Sequence, residues 1–153
     1  MLRLKWDNSV GRARLQLADD GTLASDGGIE TLAILSLFTD AEASPAEITT
    51  AGLDRQRGWW AHADSVRPAD TPKMGSKLWL LTREKTTLAT LRRAEDIALE
   101  SLVWLKARGI AKSIQVVASR PRAGWLGLEI DIVRPSSLLP SFRRLWEVKH
   151  NAF

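Results

Sequence analysis

The chain has 153 residues, which fits one domain, because two independent cores of about 75 residues each would be marginal. Apolar residues make up 44% and charged residues 26%, and no apolar run approaches the roughly 18–20 residues of a membrane span. The absence of cysteine excludes disulfides, thiolate catalysis and cysteine-bound zinc. The net charge is +4, and seven Trp with no Tyr suggest broad apolar contacts, some of them with partners.

The first predicted elements are two strands. Leu2, Leu4 and Trp6 alternate with Arg3 and Lys5, which is a period-two pattern. A polar stretch over 7–11 predicts a turn, and apolar and polar residues alternate again over 12–17. Residues 22–25 add a candidate third piece, so the N-terminus is predicted to form a meander.

Residues 29–38 are predicted to form the first helix, with one apolar stripe along it. Asp26 is a candidate cap for this helix. A buried strand stays open as the alternative, because a short apolar run does not distinguish the two. The stripe consists of Ile29, Leu32, Ala33 and Leu37.

Residues 40–75 are predicted to form a long irregular loop. Their helix- and strand-breaking residues are Pro45, Gly52, Gly58, Pro68, Pro72 and Gly75. Loops of this length in a compact domain are usually functional or disordered, and Trp59-Trp60 argues against simple disorder. Two interpretations stay open for the string RGWW at 57–60. In the first, one Trp fills the core beneath the loop while Arg57 braces a carboxylate. In the second, Trp and Arg anchor a partner, as they do at interface hot spots, and both interpretations can hold with one Trp each.

Residues 87–108 give the clearest helix. Thr86 or Thr87 offers the cap, and Gly109 stands where a left-handed residue ends a helix. Residues 76–81 lead into this helix and are predicted to belong to the core. The predicted buried stripe is Leu88, Leu91, Ala94, Ala98, Leu102 and Leu105.

Three strands are predicted after the long helix. Residues 113–119 are short and β-branched, residues 125–133 alternate, and the tail near 142–150 is the candidate last strand. The alternation places Leu126, Leu128, Ile130 and Ile132 on one face. The predicted fold is α+β: one domain over 1–153, with a small, mostly antiparallel sheet packed against two helices, one of them long at about 87–108.

The chain shows no pattern typical of a catalytic, cofactor or metal site. His62 and His150 lie in no metal-binding or triad spacing, and neither a GxSxG elbow nor a phosphate-binding glycine loop is present. Glu129 and Asp131 share a strand face, which suits the paired carboxylates of a glycosidase. A solvated face or a salt bridge explains the same pair better. The chain is therefore predicted not to be an enzyme.

Nucleic-acid binding is also disfavoured. Basic and aromatic residues meet in the string RQRGWW, but acidic residues are interleaved throughout, and the basic excess is only four. No helix-turn-helix or RNA-binding motif is present. The charges are better suited to protein partners.

The order of motifs resembles a phage family. The chain reads ETLAILSLFTD, DRQRGWW, GSKLWLLTREKTT and TLRRAEDIALESLVWL before a strand hairpin. This resembles the baseplate proteins of Mu-like contractile-tailed phages and prophages. That family is similar to the tail-lysozyme-like baseplate wedge proteins, also described as sheath initiators. The resemblance covers roughly residues 15–148, although AEAS follows LFTD and no Glu-Pro-Arg motif is present.

The resemblance implies a structural role in the virion tail baseplate after assembly in the host cytoplasm. It implies six copies around the hub, with other wedge and hub proteins and tail sheath subunits as partners, and no membrane, nucleic acid or cofactor. In the expected mechanism, an exposed sheet edge, from the 113–133 hairpin or from the terminal strands, accepts or donates a strand, while the Trp-bearing loop docks on a wedge protein. The implied partner-binding residues are Glu30, Asp40, Arg55, Arg57, Trp59 and Trp60.

Overall fold

The computed structural model describes residues 2–22, 28–58, 74–135 and 141–149. Their architecture is α+β, as predicted. In chain order the elements are β1 (Leu4–Asp7), β2 (Arg12–Leu15), α1 (Ile29–Phe38), α2 (Pro45–Thr50), a 3-10 helix (Leu78–Arg83), α3 (Leu88–Ala107), β3 (Ser113–Ser119), β4 (Trp125–Val133) and β5 (Phe142–Lys149).

The central sheet is an antiparallel meander in the order β3-β4-β5. Leu128 of β4 lies between Ala118 of β3 and Trp146 of β5, so the three side chains share one face. This inner face is buried, and the predicted β4 residues Leu126, Leu128, Ile130 and Ile132 are all in the core. The outer face of the sheet carries charged and exposed residues such as Glu129 and Arg143.

Helix α3 packs along β3 on the inner face. Its N-cap is Thr87, whose hydroxyl accepts a hydrogen bond from the Thr90 N–H, and Gly109 follows its end with φ +68°. The predicted stripe is confirmed at its centre by four fully buried residues, Ala94, Ala98, Leu102 and Leu105. The placement of Leu88 in the core was wrong: it is 66% exposed, because it occupies the first helical position, a turn before the stripe reaches the core.

Helix α1 packs among α3, β1 and the sheet, and it is buried on most sides. This burial explains its nearly uninterrupted apolar sequence. Because residues 29–38 form a helix, the strand alternative is excluded. Gly28 occupies the N-cap with φ +85°, where Asp26 had been the candidate; Asp26 lies outside the described residues.

The prediction of one irregular loop over 40–75 was wrong in part, because α2 lies inside it. The Ser44 side chain accepts from the Glu47 N–H, and the Glu47 carboxylate accepts from the Ser44 N–H, which is a capping box. Pro45 looked like a helix breaker in the sequence. At the first helical position it has no hydrogen bond to lose, and so it starts the helix.

The N-terminal hairpin β1-β2 docks on the outer edge of β5. The Trp6 indole N–H donates to the Glu147 carbonyl at 2.9 Å, and the Trp6 ring stacks on Phe38 with centroids 3.9 Å apart. The Asn8 side chain donates to the Leu145 carbonyl at 3.1 Å and accepts from the Glu147 N–H at 2.9 Å. Side chains therefore satisfy backbone groups that an edge strand would otherwise leave open.

The candidate third piece at 22–25 falls almost wholly outside the described residues. Among the helices of the described ranges, none combines the length and apolar character that crossing a membrane requires.

Candidate functional site

The segment after α1 is held to the segment before the 3-10 helix by a backbone clamp. The Ser76 N–H donates to the Thr39 carbonyl at 2.9 Å, and the Ala41 N–H donates to the Ser76 carbonyl at 2.9 Å. The buried Ser76 hydroxyl donates to the Leu37 carbonyl at 2.5 Å. Gly75 has φ +111° and passes so close to this backbone that a side chain would not fit. The clamp fixes the position of Asp40 between its two hydrogen bonds.

Two of the predicted partner-binding residues meet beside this clamp. An Arg57 guanidinium nitrogen lies 3.6 Å from an Asp40 carboxylate oxygen, and the guanidinium lies 5.6 Å from the Trp79 ring centroid. The Trp79 indole N–H donates to the Ala41 carbonyl at 2.8 Å, which fixes the ring. Burial raises the pKa of Asp40, and the positive charge of Arg57 opposes that shift. Asp40 and Trp79 thus both lie beside the Arg57 guanidinium, whose side chain stays half exposed.

Beside Arg57 lies a cavity of about 390 Å³ that we call the basic cleft. Its lining residues are Leu53, Asp54, Arg55, Arg57, Trp79, Thr82, Arg83 and Lys149. Arg83 donates to the Gly52 carbonyl, which holds the 3-10 helix against the end of α2. Arg55 and Lys149 form no ion pair within the ranges that the structure describes, and both are exposed. Four cations and one carboxylate therefore face the same space.

Glu30, another predicted partner-binding residue, does not line this cleft. Glu30 lies in the first turn of α1, about 12 Å along the helix from its last residue, Phe38, at 1.5 Å per residue, and Asp40 follows that far end. Its carboxylate is 3.5 Å from the Arg144 guanidinium of β5, and its side chain is only 15% exposed. Glu30 therefore ties α1 to the sheet. Trp59 and Trp60 lie outside the described residues.

Six of the eight residues that line the cleft were not among the predicted partner-binding residues, and three of these six supply an aromatic wall or a positive charge. Trp79 was assigned to the core, which its 5% exposure confirms, but its ring also forms a wall of the cleft. Arg83 ends an apolar segment, and Lys149 ends the last strand. These positions come together with Arg55 and Arg57 only in the folded chain, where the 3-10 helix and the end of β5 border the same cavity.

A second exposed feature is the outer edge of β3. The Ala118 N–H donates to the Glu95 carboxylate of α3 at 2.8 Å and so points away from β4. Backbone direction alternates along a strand, so the backbone groups of Ile114 and Val116 point toward the same open side. In the described part of the chain, β3 pairs with β4 alone.

The carboxylate pair considered for glycoside hydrolysis lies on the open outer face of the sheet. The Arg143 guanidinium is 2.5 Å from Asp131 and 3.8 Å from Glu129. This is the salt-bridge arrangement that the sequence favoured. The described residues contain no group of three or more metal-ligating side chains, and both histidines lie outside them.

Comparison with known proteins identifies the family. The sequence profile described as phage protein GP46 matches residues 29–138. The chain is 39% identical over 141 residues to the baseplate protein gp46 of Escherichia phage Mu, covering 91% of each chain. It is 37% identical over 149 residues to the Mu-like prophage FluMu protein gp46 of Haemophilus influenzae, covering 96% of this chain and 98% of that protein. The chain belongs to the phage GP46 family of Mu-like baseplate proteins, as its motif order indicated.

Proposed function

We propose that this protein is a structural component of a contractile phage tail baseplate, where it joins wedge proteins around the hub and nucleates sheath assembly. The baseplate role is supported by the name of the phage Mu relative, which aligns with nearly the whole chain. In this proposal six copies surround the hub. The finer assignment rests on the surfaces of the chain itself.

The observation that carries the proposal is the basic cleft. Arg57 lies against Asp40 and Trp79 and is still half exposed, so contacts that favour its present orientation reduce the conformational entropy lost when a partner binds it. Arg55 and Lys149, which form no ion pair with the described residues, suit carboxylates on a wedge partner. Trp and Arg in such a setting are the residue types that dominate interface energies. The cleft is therefore assigned to the wedge contact.

The edge of β3 is assigned to the sheath contact. Ile114 and Val116 offer backbone donors and acceptors to an added strand, which gives affinity without a sequence motif. Glu95 already occupies the Ala118 N–H, so an added strand pairs along the Ser113 half of β3. The first sheath subunits would be recruited by strand addition there.

A non-enzymatic role is supported by the ion pairs of Glu129 and Asp131, the two carboxylates considered for glycoside hydrolysis. Arg143 compensates both Glu129 and Asp131 on an exposed sheet face, whereas a glycosidase needs its two carboxylates in a substrate cleft. We therefore assign no catalytic step to this chain.

The test of the wedge contact is co-expression with the neighbouring tail proteins, followed by pull-down and by counting assembled tails. The double variant Arg55→Glu, Lys149→Glu reverses two exposed charges of the cleft and should lose wedge association while the isolated protein stays folded. Arg92→Glu is the matched control, because Arg92 is exposed on α3, away from the cleft. Wild-type association by the double variant would refute the assignment.

Single substitutions separate the two surfaces. Trp59→Ala and Arg57→Ala should each leave a folded monomer that fails to join the wedge. Val116→Pro removes an outward N–H without breaking the β3-β4 ladder, so it should block sheath recruitment but not wedge association. Val116→Ala keeps that N–H and is its control. Normal tails carrying Val116→Pro would exclude strand addition at β3.

A further inference from the structure

The N-terminal hairpin buries only one of its two strands. Leu4 and Trp6 of β1 pack against the core, whereas every residue of β2 is exposed. Leu15 lies opposite Leu4 and shares its face, yet Leu15 is 55% and Leu17 is 59% exposed. The apolar face of the hairpin is therefore buried at β1, and it continues as an exposed apolar strip over Leu15 and Leu17.

The opposite face of the hairpin is basic. Between residues 2 and 17 there are four basic residues and one acidic residue, Asp7, which lies 3.5 Å from Arg14. Arg3, Lys5 and Arg12 form no ion pair within the described ranges. Most of the net charge of the chain thus falls on this hairpin.

The outer edge of β2 is also open. The Gln16 N–H donates to the Arg3 carbonyl at 3.0 Å, so the Gln16 backbone points toward β1. Ala13 and Leu15 alternate with it, and their backbone groups point to the other side. Among the described strands, β1 is the sole partner of β2. In contrast to β5, whose edge is covered by Trp6 and by Asn8, this edge has no such cover among the described residues.

From these three observations we propose that β2 binds an extended acidic segment of a protein partner as an added strand. Acidic side chains of the segment would lie beside Arg12 and Arg14, and apolar ones beside Ala13 and Leu15. A second copy of this chain fits poorly, because β2 paired with itself places arginines against arginines. This proposal goes beyond the proposed function, because it concerns the edge of β2 and not the edge of β3 or the basic cleft. The experiments below test it independently of those two surfaces.

The probe is a fluorescent synthetic peptide in which Glu and Val alternate, titrated with the full chain and followed by anisotropy. A peptide of the same composition with Glu and Val in separate blocks keeps the charge but loses the alternation. A Lys-Val peptide reverses the charge. We expect binding of the Glu-Val peptide that weakens with salt, and at least about tenfold weaker binding of both controls.

Two substitutions locate the binding to the β2 edge. Ala13→Pro removes the outward N–H and leaves the ladder to β1 intact, so affinity should fall about tenfold, whereas Ala13→Val keeps the N–H and should change affinity less than about threefold. The NMR shift of the Trp6 indole N–H, which is donated to the Glu147 carbonyl, reports whether the hairpin is still docked.

If Ala13→Pro undocks the hairpin, the location of the binding site is tested with Arg12→Glu instead. Arg12→Glu should weaken binding of the Glu-Val peptide, whereas the control Arg92→Glu should not. Absence of Glu-Val binding, equal binding of the blocked peptide, or equal loss with both glutamate variants overturns the proposal. Duplex DNA that competes for β2 and binds Ala13→Pro as tightly as wild type would also overturn it, since the patch would then be a nucleic-acid surface.

Discussion

Gly75 provides the sharpest stability prediction of this fold. A Cβ at this position would lie 2.7 Å from the Thr39 carbonyl oxygen, 3.0 Å from the Ala41 nitrogen and 3.1 Å from the Asp40 carbonyl carbon. All three atoms belong to the backbone, so no side chain can move aside. The φ of +111° also disfavours any residue with a Cβ. Gly75→Ala must therefore open the clamp between residues 39–41 and Ser76.

The cost has two parts. Strain at a backbone conformation that excludes a Cβ is about 1–3 kcal/mol. Losing the two backbone hydrogen bonds of the clamp, from Ser76 to Thr39 and from Ala41 to Ser76, adds about 1 kcal/mol each. The free energy of unfolding should thus fall by about 3–5 kcal/mol, a large share of the roughly 5–15 kcal/mol typical of a domain.

Urea denaturation followed by tryptophan fluorescence measures this loss. The matched control is Gly52→Ala, because Gly52 also has positive φ, +66°, but a Cβ at Gly52 would meet no atom within 4 Å. The control should lose only about 1–2 kcal/mol. Equal losses in the two variants would refute the clash argument, because backbone conformation alone would then explain both.

Two further predictions concern ionisable groups near the cleft. Hydrogen bonds from Lys77 and Ser44 lower the pKa of Glu47 from 4.5 to about 2, so its stabilising effect is present above pH 4.5 and is lost as the pH falls toward 2. At pH 7, Glu47→Gln should lower the free energy of unfolding by about 0.5–1 kcal/mol, a value reduced because the ion pair is partly exposed to solvent. Urea denaturation should show this difference between wild type and variant becoming smaller below pH 4.5, and a difference that does not change with pH would contradict the argument. Burial raises the pKa of Asp40, so the folded chain holds that proton more tightly and ionisation above pH 3.8 reduces stability. Asp40→Asn should therefore gain stability relative to wild type as the pH rises above 3.8, and a relative loss over that range would show that the pairing with Arg57 outweighs burial.

Long periodic segments were predictable from the sequence, and their ends were less so. The alternation over 125–133 matches β4 because one face is buried and the other is not. The stripe of α3 failed only at Leu88, where periodicity continues past the edge of the core. Helix α2 was missed because Pro45 begins a helix as readily as it breaks one, and the pattern of a six-residue helix is too short to decide.

The candidate site could be predicted only in part, because local sequence patterns do not show which distant residues meet in the fold. The family resemblance pointed to Asp40 and Arg57, and the structure brings them together. Arg83 and Lys149 are separated by 66 positions, and only the tertiary fold places both of them on the lining of one cavity. No local pattern carries that information. The resemblance also grouped Glu30 with these residues, although it lies at the far end of α1.

The docking of the hairpin on β5 has a consequence for the order of folding. The hydrogen bond from Trp6 to Glu147 joins residues 141 positions apart, so nearly the whole chain must be synthesised before it can form. Contacts of such sequence separation form late and slow folding. Until β5 leaves the ribosome, Trp6 lacks the strand edge to which it donates its indole hydrogen bond. Strand β1 precedes the other described strands in the chain, yet its docking on β5 is completed among the last steps of folding. A nascent chain stalled before residue 142 would leave the hairpin undocked and prone to misassembly.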